Sequence, residues 1–197
     1  MSIFDNSPVP IPILMQEEIR KQYEQPKRFY HTLEHIESLI QLYHELHNLW
    51  EHPRAVYLAF LYHDIIYEYG AKDNEEQSAL FAQQHILKHI PHAQEHIPRI
   101  VHLIRQTALH GQLKREELDE EERLFLDCDM SILGSEPNRF KEYEQQIEQE
   151  YTQVYSKLLY KFGRNRFRSK LYKAPRIFFS DLFHKRYDAQ ARKNLRS

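Results

Sequence analysis

The chain has 197 residues, long enough for one domain with a full core and not so long that two are required. Four glycines and nine prolines, set against abundant Leu, Ile, Glu, Gln, Lys, Arg and Tyr, favour an all-α fold over a strand-and-turn architecture. With 27 basic and 29 acidic residues the chain is nearly neutral, and a single cysteine, Cys128, excludes an internal disulfide and points to a reducing, cytoplasmic home.

The longest apolar stretches, such as Ala55 to Tyr62, fall well short of the roughly 20 residues needed to cross a bilayer, so no membrane span is expected. The opening MSIFDNSPVPIPIL has neither a basic n-region nor a cleavage pattern, and is read as no signal peptide. Charge is unevenly spread: thirteen of the Lys and Arg, but only two acidic residues, lie from Lys157 onward. Such a basic end pairs with the acidic body, which is the simpler reading, or attracts phosphates. The basic-aromatic run KFGRNRFRSKLYK could stack on bases, yet no nucleic-acid module surrounds it, and nucleic acid is not the expected partner.

In chain order, a proline-marked lead-in over residues 1–12 precedes weak helical periodicity from Ile13 to Tyr23. Thr32 to Leu49 sets Leu33, Ile36, Leu39, Ile40, Tyr43 and Leu46 at helical intervals, with Thr32 as the N-cap. Pro53 opens a helix through AVYLAFLYHDIIY that is apolar almost all round and that Gly70 closes. Asp73 or Asn74 caps a helix through Leu87, and Pro98 opens another over Arg99 to His110, ended by Gly111. An acidic stretch leads into a short helix around RLFLDCDMSIL that Gly134 ends. One long helix is expected from Pro137 to about Phe162, with Phe140, Tyr143, Ile147, Tyr151, Val154 and Leu158 on one stripe, then one or two more helices.

Thirteen histidines are too many for all to be ligands, and His44, His47, His52, His85, His89, His92 and His96 sit in polar contexts that read as surface. Four places stand out instead. His31 and His35, four apart, would share a helix face. His63-Asp64 interrupts an apolar run. Asp127 and Asp129 flank Cys128 in an apolar helix, and His110 ends a helix that also carries His102. Each taken alone has a bland explanation, a chance dipeptide, a core histidine, or Asp127 paired with Arg123. The ordered combination H, then HD, then D on apolar helices is explained economically by a divalent ion, Mn, Ni, Co, Zn, Fe or Mg, with positions open for water and substrate.

That order resembles the HD superfamily of metal-dependent phosphohydrolases, H…HD…D on a helical core. More narrowly, RFYHTLEHI, LYHDIIY, DNEEQSA, IRQTALHG, LDCDMSILG and ARKNL resemble an uncharacterised branch of predicted HD-type phosphohydrolases, over nearly the whole chain from about Tyr23. The resemblance implies an HD-domain-like helical bundle, with residues 1–25 as lead-in and first helix and 26–197 as a single HD-type domain including the basic C-terminal region. His63 and Asp64 are its central ligands. Asp129 is preferred as the closing aspartate because Asp129 to Gly134 fits the D-x-x-x-L-G spacing, with Asp127 as the rival. His35 is preferred as the first ligand and His31 as general acid, although His31 fits an R-F-x-H-S-L alternative.

The implied function is release of phosphate from a nucleotide or related phosphorylated small molecule. Asp64 would sit beside activated water, and His31 or His110 would serve as proton donor. Lys27, Arg28 or Arg105 would hold phosphate, Asn74 would touch substrate, and Glu75 or Glu76 would orient a ligand histidine. A metal- and nucleotide-binding sensor with little turnover ranks second. A di-iron HD-type oxygenase, drawing further ligands from His31, His102 and His110, ranks third. An oligomer is compatible with each.

Overall fold

The computed structural model describes residues 2–196, and among them there are nine α-helices and no strand. The fold is all-α. No helix among the described residues is long and apolar enough to cross a membrane. The chain forms two compact units, one running to His110 and one from Gly111 onward.

The first unit holds α1 (Ile13–Tyr23), α2 (Leu33–Glu45), α3 (Pro53–Tyr62), α4 (Asn74–His89) and α5 (Ile97–Thr107). Helix α3 is its centre. Every residue from Ala55 to Tyr62 is buried, as a helix without a polar face must be, and α2, α4 and α5 pack around it. The lead-in joins this core, burying Ile3, Phe4, Val9 and Ile11, and the Tyr57 hydroxyl donates to the Ile3 carbonyl.

Two helices end earlier than periodicity suggests. Helix α2 stops at Glu45, and a 3₁₀ turn over His47–Leu49 follows. The Trp50 indole donates to the Tyr43 carbonyl at 2.9 Å while its ring stacks on Tyr43, drawing the chain away from the helix axis. Helix α3 stops at Tyr62 rather than running on towards Gly70. A helix end leaves carbonyls without intrahelical partners, and here side chains supply the donors. The Tyr23 hydroxyl donates to Leu61 O at 2.9 Å, and Arg28 donates to Asp64 O and Ile65 O, each at 2.7 Å. The Ser78 hydroxyl bonds both the N–H and the carbonyl of Ile66. His63 and Asp64 therefore sit in the turn just beyond α3. His85 corrects the surface reading of the polar-context histidines: it is only 5% exposed, facing inward from α4.

The second unit holds α6 (Glu120–Met130), α7 (Pro137–Tyr151), α8 (Lys157–Lys173) and α9 (Asp181–Arg196). Asp119 and Glu122 close a reciprocal capping box at the start of α6, with bonds of 2.8 and 2.9 Å. The single long helix expected from Pro137 to Phe162 is two. Thr152 turns its hydroxyl back onto Glu148 O, and Ser156 starts α8 by accepting from Leu159 N. Phe140, Tyr143 and Ile147 are buried, but the rest of the supposed stripe is not: Val154 is 51% and Leu158 81% exposed.

The closing ARKNL segment is a clasp. Arg192 donates to the carbonyls of Tyr172, Ala174 and Pro175, and its Nε donates to Asp188 at 2.6 Å. The Asn194 amide donates to Leu133 O at 2.9 Å and Ser135 O at 2.8 Å. Gly134 lies between those two carbonyls, where a Cβ would come within 2.6 Å of Tyr187 Cβ, so this glycine is required by close approach.

Candidate metal centre

Three side chains of the first unit bring one ligand atom each to a common point: His35 from the first turn of α2, and His63 and Asp64 from the turn after α3. His63 Nε2 lies 2.9 Å from Asp64 Oδ2 and 3.2 Å from His35 Nε2, and His35 Nε2 lies 3.7 Å from Asp64 Oδ2. Ligands about 2.1 Å from an ion are separated from one another by about 3.0 Å at right angles and about 3.4 Å at the tetrahedral angle. The observed edges fall around these values. Two imidazoles and a carboxylate suit Zn, Fe, Co, Ni or Mn, so the residues present fit such an ion.

The orientation of the His63 ring supports this fit. His63 Nδ1 lies 3.1 Å from the Phe60 carbonyl, which can only accept; a proton held on Nδ1 there would leave Nε2, the atom nearest His35 and Asp64, to bind an ion. His35 and His63 are 4% and 1% exposed, whereas the Asp64 side chain retains 15%, leaving the carboxylate as the open side. Adjacent residues in a continuous helix point about 100° apart. Ending α3 at Tyr62 releases Asp64 from that constraint and lets both side chains reach one point.

Arg28 fixes the geometry from behind. One guanidinium nitrogen bridges His31 O at 3.1 Å and Asp64 O at 2.7 Å, and the other takes Ile65 O. The guanidinium lies over the rings of Tyr23 and Tyr67, and Arg28 is 6% exposed. It thus ties the segment before α2 to the turn after α3. Its bonding is that of a positioning residue, whereas the sequence suggested a phosphate ligand.

His31 does not share a helix face with His35. It lies at a bend before α2, with Thr32 in an extended conformation between them. Its ring stacks on Tyr67 at 4.2 Å, and its Nε2 is 4.0 Å from Asp64 Oδ2, outside the three-atom cluster but beside it.

Several of the other residues singled out from the sequence carry bonds of their own. The Asn74 amide binds both the N–H and the carbonyl of Glu68, pinning the loop before α4. Arg105 and Glu76 form a two-bond ion pair at 2.6 and 2.7 Å on the surface of α4 and α5. His102 Nε2 lies 2.8 Å from the Gln106 amide nitrogen, and His110 sits in the turn after α5. The Lys27 carbonyl accepts from Tyr69.

In the second unit, Asp127 is 1% exposed and receives a backbone N–H on each oxygen, from Phe179 and Ser180, both at 2.7 Å. That is the bonding of a carboxylate holding the approach to α9. Asp129 is half-buried at the end of α6.

Sequence reasoning missed the role of Tyr23 and Ser78 in ending α3. A tyrosine and a serine far along the chain carry no local sign of which carbonyl they will meet. No protein-family model, curated protein or solved structure matches the chain.

Proposed function

We propose that the protein is a metal-dependent phosphohydrolase of the HD type that releases phosphate from a nucleotide or a related phosphorylated small molecule. The observation carrying this reading is the convergence of His35 Nε2, His63 Nε2 and Asp64 Oδ2, with edges of 2.9 to 3.7 Å and the Asp64 side open. His35, His63 and Asp64 would hold a divalent ion, which would lower the pKa of water enough to supply hydroxide near neutral pH and would offset phosphate charge.

The chain's own residues do the rest. His35 and His63 bind through Nε2, with the His63 ring locked by Phe60 O. Asp64 provides the carboxylate on the exposed side, and Arg28 keeps its backbone in register with the His31 segment. His31, 4.0 Å from Asp64 and stacked on Tyr67, is the preferred donor of a proton to the leaving oxygen. Asp129, the closing aspartate that the resemblance implies by its D-x-x-x-L-G spacing, belongs to the second unit and is not one of the three converging atoms.

The test is a panel of nucleoside mono- and triphosphates and sugar phosphates, each incubated with Mn, Co, Ni, Zn or Mg. Phosphate release that depends on the metal and disappears in Asp64→Ala is expected. No release from any pairing would remove the hydrolase reading, and metal-dependent nucleotide binding without turnover would put the sensor in its place.

A further inference from the structure

A second group of ligand atoms lies in the first unit: Glu18 of α1 with His85 and His89 of α4, all within 4.8 Å of one another. His85 and His89 are four apart on one helix and their rings are 4.4 Å between centroids, so a single face of α4 presents both imidazoles. Both Nε2 atoms are turned to the same carboxylate oxygen, Glu18 Oε2; the His89 contact is 2.9 Å and the His85 contact is closer. The histidine side chains are 5% and 7% exposed, while that of Glu18 is 34% exposed, so the group is walled on one side and open on the other.

Two further features distinguish this group from an ordinary surface ion pair. The His85 Nδ1 is 2.7 Å from the hydroxyl of Tyr62, a buried residue, so the ring is oriented from its far side as the rings of metal-binding histidines are. The open side is already taken by a cation: the Lys88 ammonium donates to Glu18 Oε1 at 2.9 Å and Oε2 at 3.3 Å. Lys88 is 59% exposed and on a flexible stem, so it can leave when another cation arrives.

We propose that Glu18, His85 and His89 form a second divalent-metal site, selective for zinc-like ions, in which Lys88 stands in for the metal when none is bound. Two imidazoles and one carboxylate with a fourth position open is a common zinc donor set. Bound metal links α1 to α4 and, through Tyr62, to the last residue of α3 before His63. The site does not depend on the phosphohydrolase reading.

The test uses the full chain carrying His63→Ala and Asp64→Ala, so that the first cluster is silent, titrated with cobalt(II) and back-titrated with zinc(II). One equivalent of cobalt with visible d–d absorption, displaced by zinc, is expected. Adding Glu18→Gln, or separately His89→Gln, should weaken binding at least about tenfold, with far-UV circular dichroism unchanged in at least one of them. Lys88→Met should bind cobalt at least as tightly as its parent. The proposal is overturned if the parent double variant takes up no cobalt, if binding survives both Glu18→Gln and His89→Gln, or if Lys88→Met weakens it. Absence of phosphate release from the wild-type chain, with this cobalt signal present, would count against the first site alone.

Discussion

Replacing Arg28 by Met tests whether the candidate centre is held together by a residue that touches no ligand atom. In the wild type, three carbonyl oxygens, of His31, Asp64 and Ile65, accept from one guanidinium at 2.7 to 3.1 Å. Hydrogen bonds to a charged group contribute about 1.5–3 kcal/mol each, which taken alone would suggest a large loss. Removing the cation also relieves its desolvation, and Met restores part of the packing between Tyr23 and Tyr67, so the expected net destabilisation is about 3 kcal/mol.

The informative consequence is at the metal. Without the bridge, the segment before α2 and the turn after α3 lose their register, and affinity should fall about 10–100-fold, the cost typical of removing an outer support. Isothermal titration with Mn or Co, beside urea unfolding, measures both quantities. If Arg28→Met left metal affinity intact and raised only the KM for a phosphorylated substrate, the positioning argument would be refuted and Arg28 would be a phosphate ligand after all.

Other substitutions separate roles that the site leaves side by side. His31→Asn should keep metal affinity within a few-fold while lowering kcat by about 10²–10⁴, the range for general-acid loss, whereas His35→Ala should lower metal affinity; equal loss of metal in both would make His31 a ligand. Asp127→Asn exchanges one carboxylate oxygen for an NH₂ facing a backbone N–H, so it should destabilise the second unit by about 2–4 kcal/mol with metal affinity unchanged. Paired thermal melts and metal titrations check both parts, and an unchanged melt would refute the role given to Asp127.

A pH prediction concerns Asp188. Burial pulls its carboxyl upward, but the Ile177 N–H, the Arg192 guanidinium and the charge of His184 together hold it below the ordinary carboxylate range. A carboxyl held lower when folded contributes stability above its unfolded pKa of about 3.9, and that contribution disappears as pH falls through the folded value. Asp188→Asn should therefore flatten the acid limb of stability below about pH 4, and an unchanged limb would contradict the assignment.

Much was legible along the chain because it depends on local chemistry. The all-α class follows from few glycines and a helix-rich composition, and the bounds of α1 follow from periodicity and the prolines around it. The buried α3 announces itself by having no polar face. His63 and Asp64 stand out because they are polar groups at the end of that apolar run.

What the tertiary structure alone decided concerns where helices stop and what distant side chains meet. The end of α3 is set by Tyr23, Arg28 and Ser78, residues 12 to 38 positions away from the backbone groups they satisfy. Periodicity carries no record of such donors, so the same apolar pattern reads as helix through Tyr67. The burial of His85 was hidden for a similar reason: its neighbours in sequence are polar, while its neighbours in space are Tyr62 and Glu18. Spacing identifies which residues can share a chemistry, but only long-range packing fixes which of their atoms meet. Here it brought His35 to an adjacent His-Asp pair as three converging ligand atoms, and joined a glutamate in α1 to two histidines 67 and 71 residues later.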